Sequence, residues 1–220
     1  MRCPSGMPDG RRRMIELVDN AFQLVVLAVC LGLSIWRFVQ TGSRAWFSLV
    51  GFYGCDLLAL TFWLAYLTIF GETPRFYVSD LGWIACYLFM LMLEVACDAR
   101  RAPQAPVPAA WLPVALVVPN FMLYVQRGDL LNNIACCGLM AAIGYLAVRG
   151  VTSRPGTGFA HNRAFHGAVL VWVACLLSVW TASCFLGAID GALTPYIVAD
   201  ICATLSYVGL LATAWGADAT

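Results

Sequence analysis

Seven stretches of this chain are long and apolar enough to cross a bilayer, and that pattern constrains the fold more than anything else in the sequence. They run Met14–Gln40, Ala45–Phe70, Leu81–Cys97, Ala109–Val125, Leu131–Val148, Ala164–Leu186 and Leu193–Trp215. A spanning helix needs about 20 mostly apolar residues. The breaks between the stretches are polar, turn-forming clusters: Thr41-Gly42-Ser43-Arg44, Gly71-Glu72-Thr73-Pro74-Arg75, the Pro-rich Arg100–Pro108, Arg127-Gly128-Asp129, Gly150–Arg163 and Asp190-Gly191. The first apolar run carries Glu16 and Asp19 and leads to no small-residue cleavage site, so it reads as a retained span and not a secretory signal.

Composition agrees. Only 11% of the 220 residues are charged and 61% are hydrophobic, against about 25% charged in soluble domains. The expectation is an all-α membrane protein, a bundle of seven transmembrane helices forming one domain over residues 1–220. Every basic residue is arginine, which removes any mechanism built on a lysine Schiff base. A net charge of +1 gives no electrostatic case for nucleic acid. The cysteines fall in apolar stretches apart from Cys3, with no CxxC pair, and read as small buried hydrophobes. No metal or cofactor is expected.

Arginine placement orients the chain. With the N-terminus outside, the inner loops hold Arg37, Arg44, Arg100, Arg101, Arg149, Arg154 and Arg163, and the outer loops only Arg75 and Arg127. Arg2, Arg11, Arg12 and Arg13 dissent, and a start at Met14 would delete them. The expectation is a multi-pass cell-membrane protein, N-terminus outside and C-terminus cytoplasmic.

The first and last three spans echo each other. Tyr77-Val78-Ser79-Asp80 followed by Tyr87 matches Tyr196-Ile197-Val198-Ala199-Asp200 followed by Tyr207, with seven residues from Asp to Tyr in both. Arg44-Ala45-Trp46 matches Arg163-Ala164-Phe165, and Asn20, Gly32 and Arg37 match Asn132, Gly144 and Arg149. This reads as a 3+1+3 parallel repeat: repeat 1 over about 14–98, a linker helix over about 109–126, repeat 2 over about 130–216. In that layout the chain resembles the SWEET and PQ-loop transporters. The Pro-Gln dipeptide of that family is absent from spans 1 and 5 and occurs only as Pro103-Gln104 in a loop, so its substrates do not carry over. The aromatic, Leu-rich spans are also similar in texture to the seven-helix membrane input modules of bacterial histidine kinases and diguanylate cyclases.

An ionisable side chain within a span costs roughly 2.5–3.5 kcal/mol on insertion scales and marks a functional candidate. The candidates are Asp19, Asp56, Asp80, Glu94, His166 and Asp200. Asp56 is mid-span and the most costly; either it is neutral or it faces a polar cavity or partner. Asp19, Asp80, Asp200 and the Asn132-Asn133 pair, with Tyr77 and Tyr196 near the rim, are expected at an outward-facing polar vestibule, and Asp56, Asp80, Asp200, Asn132, Tyr77 and Tyr196 form the proposed ligand-binding set. The bland alternative makes Asp19 and Asp80 helix caps. Glu94 is placed to reach Arg100 or Arg101 as an interfacial ion pair, and His166 reads as a lone structural histidine. The Gly-x-Gly-Asp signature of intramembrane aspartyl proteases is missing, since Asp56 follows Gly54-Cys55, and no enzyme is expected. The leading reading is a small-solute transporter with a polar intramembrane site, its partners the bilayer and a small polar solute. The alternative is a stand-alone sensor signalling to a separate cytoplasmic partner, and either could act as a homo-oligomer.

Overall fold

The computed structural model describes residues 9–70, 78–101, 107–126, 130–154, 156–185 and 194–218. Those residues form seven helices: α1 (Asp9–Thr41), α2 (Arg44–Phe70), α3 (Val78–Ala99), α4 (Trp111–Val125), α5 (Leu130–Val151), α6 (Arg163–Ser183) and α7 (Pro195–Asp218), with single 3₁₀ turns at Pro108–Ala110 and Phe159–His161. Among the described residues there is no strand. Each helix contains, or with its leading 3₁₀ turn completes, a segment long and apolar enough to span a membrane.

Local chemistry fixes several of the ends. Gly42, at φ +62°, reverses the chain between α1 and α2, a backbone state that costs a glycine nothing. Asn162 caps α6 by accepting the Phe165 amide at 3.0 Å. Pro195 opens α7, where its missing N–H costs no helical bond.

The packing order is a closed ring. α1 packs on α2, α2 on α3, α3 on α5, α5 on α6, α6 on α7, and α7 returns to α1, while α4 lies outside the ring against α5 and α6. Consecutive spans alternate in direction. One end of the bundle therefore gathers the starts of α1, α3, α5 and α7 with the ends of α2, α4 and α6, and carries Asp19, Asp80, Asn132 and Asp200. The opposite end carries Arg37, Arg44, Arg101, Arg149 and Arg163. We refer to these as the carboxylate-rich and arginine-rich ends.

The interior of the ring is aromatic: Trp46, Phe52, Tyr53, Phe165 and Trp172 are fully buried. The outer faces present Val25, Leu58, Leu116, Leu131, Val171 and Leu205. So large an apolar exterior suits a hydrocarbon solvent and not water.

Polar side chains attach the outlying α4. Thr181 donates to Asn120 Oδ1 at 2.9 Å, the Tyr124 hydroxyl donates to the Leu177 carbonyl at 2.9 Å, and Asn133 of α5 donates to the Tyr124 carbonyl at 2.9 Å. Within hydrocarbon such contacts replace the hydrophobic effect as the adhesive between helices. α4 also approaches α5 closely at Gly144, where a β-carbon would fall 2.6 Å from the Pro113 ring.

Candidate functional site

Asp56 stands twelve residues after Arg44 and fourteen before Phe70 in α2, about 18 Å along the helix from its arginine-bearing start. It is 3% exposed. Its carboxyl interacts with the Tyr207 hydroxyl of α7 and the Trp83 side chain of α3, and its Oδ2 has no hydrogen-bond partner. Tyr53, Cys55, Cys86 and Tyr87 also lie within its electrostatic reach. Each of these neighbours is uncharged in its ordinary state.

Tyr53, Tyr87 and Tyr207 belong to a cluster of packed rings. Tyr53 and Tyr207 have centroids 6.2 Å apart, Phe52 and Tyr207 5.9 Å, Phe52 and Trp172 5.1 Å, and Tyr87 and Trp172 5.6 Å. The Tyr53 hydroxyl donates to the Tyr207 carbonyl at 2.9 Å, tying α2 to α7. Two further polar atoms of the ring interior, Trp172 Nε1 and Thr204 Oγ1, are buried without a hydrogen-bond partner.

At the carboxylate-rich end the remaining candidates divide between two seams. Between α3 and α5, Asn132 donates to Asp80 Oδ1 at 2.9 Å and accepts from the Cys136 thiol at 3.2 Å. Between α1 and α7, the buried Asp19 and Asp200 side chains lie within hydrogen-bonding reach of each other. Tyr196 is half-buried in the first turn of α7. Tyr77 lies outside the described residues.

The arginine-rich end holds a polar cluster of which the sequence suggested one pair, Glu94 with Arg100 or Arg101. Glu94, expected as an interfacial ion pair with Arg100 or Arg101, is fully buried; its Oε1 meets His166 Nδ1 at 2.9 Å and its Oε2 lies 3.9 Å from Arg101 Nη2. His166, expected as a lone histidine, is likewise fully buried. Arg101 donates through Nε to the Ala160 carbonyl at 2.7 Å and through Nη1 to Asp98 at 3.2 Å, and Asp98 also receives Arg149 at 3.3 Å. The i, i+4, i+7 spacing of Glu94, Asp98 and Arg101 on one helical face was the available signal. Its partner His166 is 72 residues from Glu94, beyond any local pattern. Glycine at 150 makes room for the imidazole, since a β-carbon there would overlap the ring.

Seven apolar spans enclosing these polar groups place the chain among multi-pass integral membrane proteins. Comparison with protein-family models, with curated proteins and with solved structures gave no match.

Proposed function

We propose that the protein is a small-solute transporter of the cell membrane whose central group is Asp56. The observation that carries this reading is a buried mid-span carboxyl with an unpartnered oxygen and only neutral neighbours, inside a ring of spans. A charge so placed opposes insertion, and groups of this kind recur on ion and substrate paths. The role is one of binding and proton exchange, with no catalysed reaction.

The ring is also the one a parallel repeat would build. Replacing α1, α2 and α3 by α5, α6 and α7 carries the packing order onto itself. The same correspondence pairs the Tyr53–Tyr207 ring contact with Trp172–Tyr87. Transporters assembled from such repeats hold their substrate between them near the midplane. The two seams at the carboxylate-rich end then flank the outer access route, and the arginine-rich end faces the cytoplasm under the positive-inside rule.

The test is solute-driven proton movement in proteoliposomes with an interior pH dye and an imposed pH gradient. Across a panel of small polar solutes, at least one should dissipate the gradient in the wild type and not in a folded Asp56→Asn variant. Failure of every solute, or equal activity in the variant, would overturn the proposal. Solute binding without flux would favour the sensor reading.

A further inference from the structure

We propose that the solute held at Asp56 is a small organic cation of the ammonium class, taken up in exchange for the proton the carboxyl otherwise carries. This rests on the transporter reading and adds the chemistry of its substrate.

Charge is the first property that selects the solute. An anion beside Asp56 would bring a second negative charge into a buried site whose recorded neighbours are hydroxyls, an indole and thiols. A neutral solute would bring no charge for which the acid could exchange its proton. A cation balances it, and so does a proton, so the two compete for the same group. The described arginines Arg101, Arg149 and Arg163 are engaged at the arginine-rich end.

Shape and polarisability choose among cations. A divalent metal calls for several hard oxygen or nitrogen ligands, and among the described residues no group of three or more His, Cys, Asp or Glu could hold one. Beside its one carboxyl the site has Tyr53, Tyr87 and Tyr207 within electrostatic reach, with Phe52 and Trp172 packed against those rings. Aromatic faces are electron-rich, and ring cages with a nearby carboxylate suit ammonium groups. The unpartnered Trp172 Nε1 and Thr204 Oγ1 could meet a hydroxyl or carbonyl carried by the same cation. The exchange balances: the carboxylic acid releases its proton to water as the ammonium pairs with the carboxylate, and no bond to carbon changes.

The experiment titrates purified protein in weakly buffered nanodiscs with tetramethylammonium chloride against sodium chloride of equal ionic strength. Tryptophan fluorescence reports binding and a pH-indicator dye reports protons. A saturable fluorescence change with about one proton released per cation is expected. Asp56→Asn should weaken it by about tenfold or more, Asp56→Glu should retain it, and 2,2-dimethylpropanol or acetate should not reproduce it. If Asp56→Asn does not fold, Tyr207→Phe serves: it keeps the carboxyl, removes the hydroxyl that interacts with it, and should weaken tetramethylammonium measurably. No saturable response in the wild type, or one that neither variant alters, overturns the proposal. Asp56-dependent flux of some other solute, with no tetramethylammonium response, would refute the cation class and leave transport standing. Binding with proton release but no gradient collapse would do the reverse.

Discussion

Arg101 donates a hydrogen bond through Nη2 to Nε2 of His166 at 2.9 Å, although the two are 65 residues apart. A ring nitrogen that accepts carries no proton, so Nδ1 carries it and donates to Glu94 Oε1 at 2.9 Å. The Phe159 carbonyl also lies 3.1 Å from Nε2, but it can be bonded only if Nε2 bears a proton. Arg101 and Phe159 therefore compete for one atom. Nitrogen-15 NMR of histidine-labelled protein in mildly alkaline buffer should show His166 as the Nδ1–H tautomer. A proton on Nε2 in alkaline buffer would show that Phe159, and not Arg101, is the partner.

Removing one member of a buried charged cluster strands the others, at a cost of roughly 3–5 kcal/mol. Glu94→Ala should destabilise the protein on that scale in a reversible unfolding assay in mixed micelles. Glu94→Gln should cost less, because its amide oxygen still accepts from Nδ1. Equal losses for the two would mean that the His166 contact adds nothing.

Gly150 and Gly138 both lie in α5, and only Gly150 faces an obstacle. A β-carbon at 150 would overlap the His166 imidazole, whereas nothing lies within 4 Å of one at 138. Gly150→Ala should lower stability by about 1–3 kcal/mol through overpacking. Gly138→Ala should be neutral or stabilise slightly, through the higher helix propensity of alanine. Matching effects at the two positions would contradict the packing described.

At the α3/α5 seam, Asn132 and Asp80 are half-buried and joined by a 2.9 Å hydrogen bond. A double-mutant cycle with Asp80→Ala and Asn132→Ala should give a coupling of about 1 kcal/mol. A coupling of zero would show the two side chains acting independently.

The spans were readable because a bilayer demands long apolar runs and the loops are punctuated by glycine, proline and arginine. α2, for instance, differs from its expected start by the one residue between Arg44 and Ala45. Asp56 stood out for the same reason, since a lone carboxylate in Phe52-Tyr53-Gly54-Cys55-Asp56 has no local partner. What joins across the bundle was not readable. Nothing in the sequence pairs Glu94 with His166 or Asp19 with Asp200, because those pairings depend on which helices the ring makes adjacent. Arg101 looked like a loop residue beside prolines, yet its side chain turns back to the His166 and Ala160 contacts and is 1% exposed.

Transport through the ring requires Asp56 to be an exchangeable carboxyl and not a sealed structural one. Infrared spectroscopy of the protein in lipid, comparing wild type with Asp56→Asn, isolates the carbonyl stretch of this one side chain. A protonated-acid band that is absent in the variant, and that shifts promptly when H₂O buffer is replaced by D₂O, is the predicted result, because a transport path brings water to the group. An Asp56 band that D₂O leaves unchanged over hours, or no such band in the wild type, would contradict it.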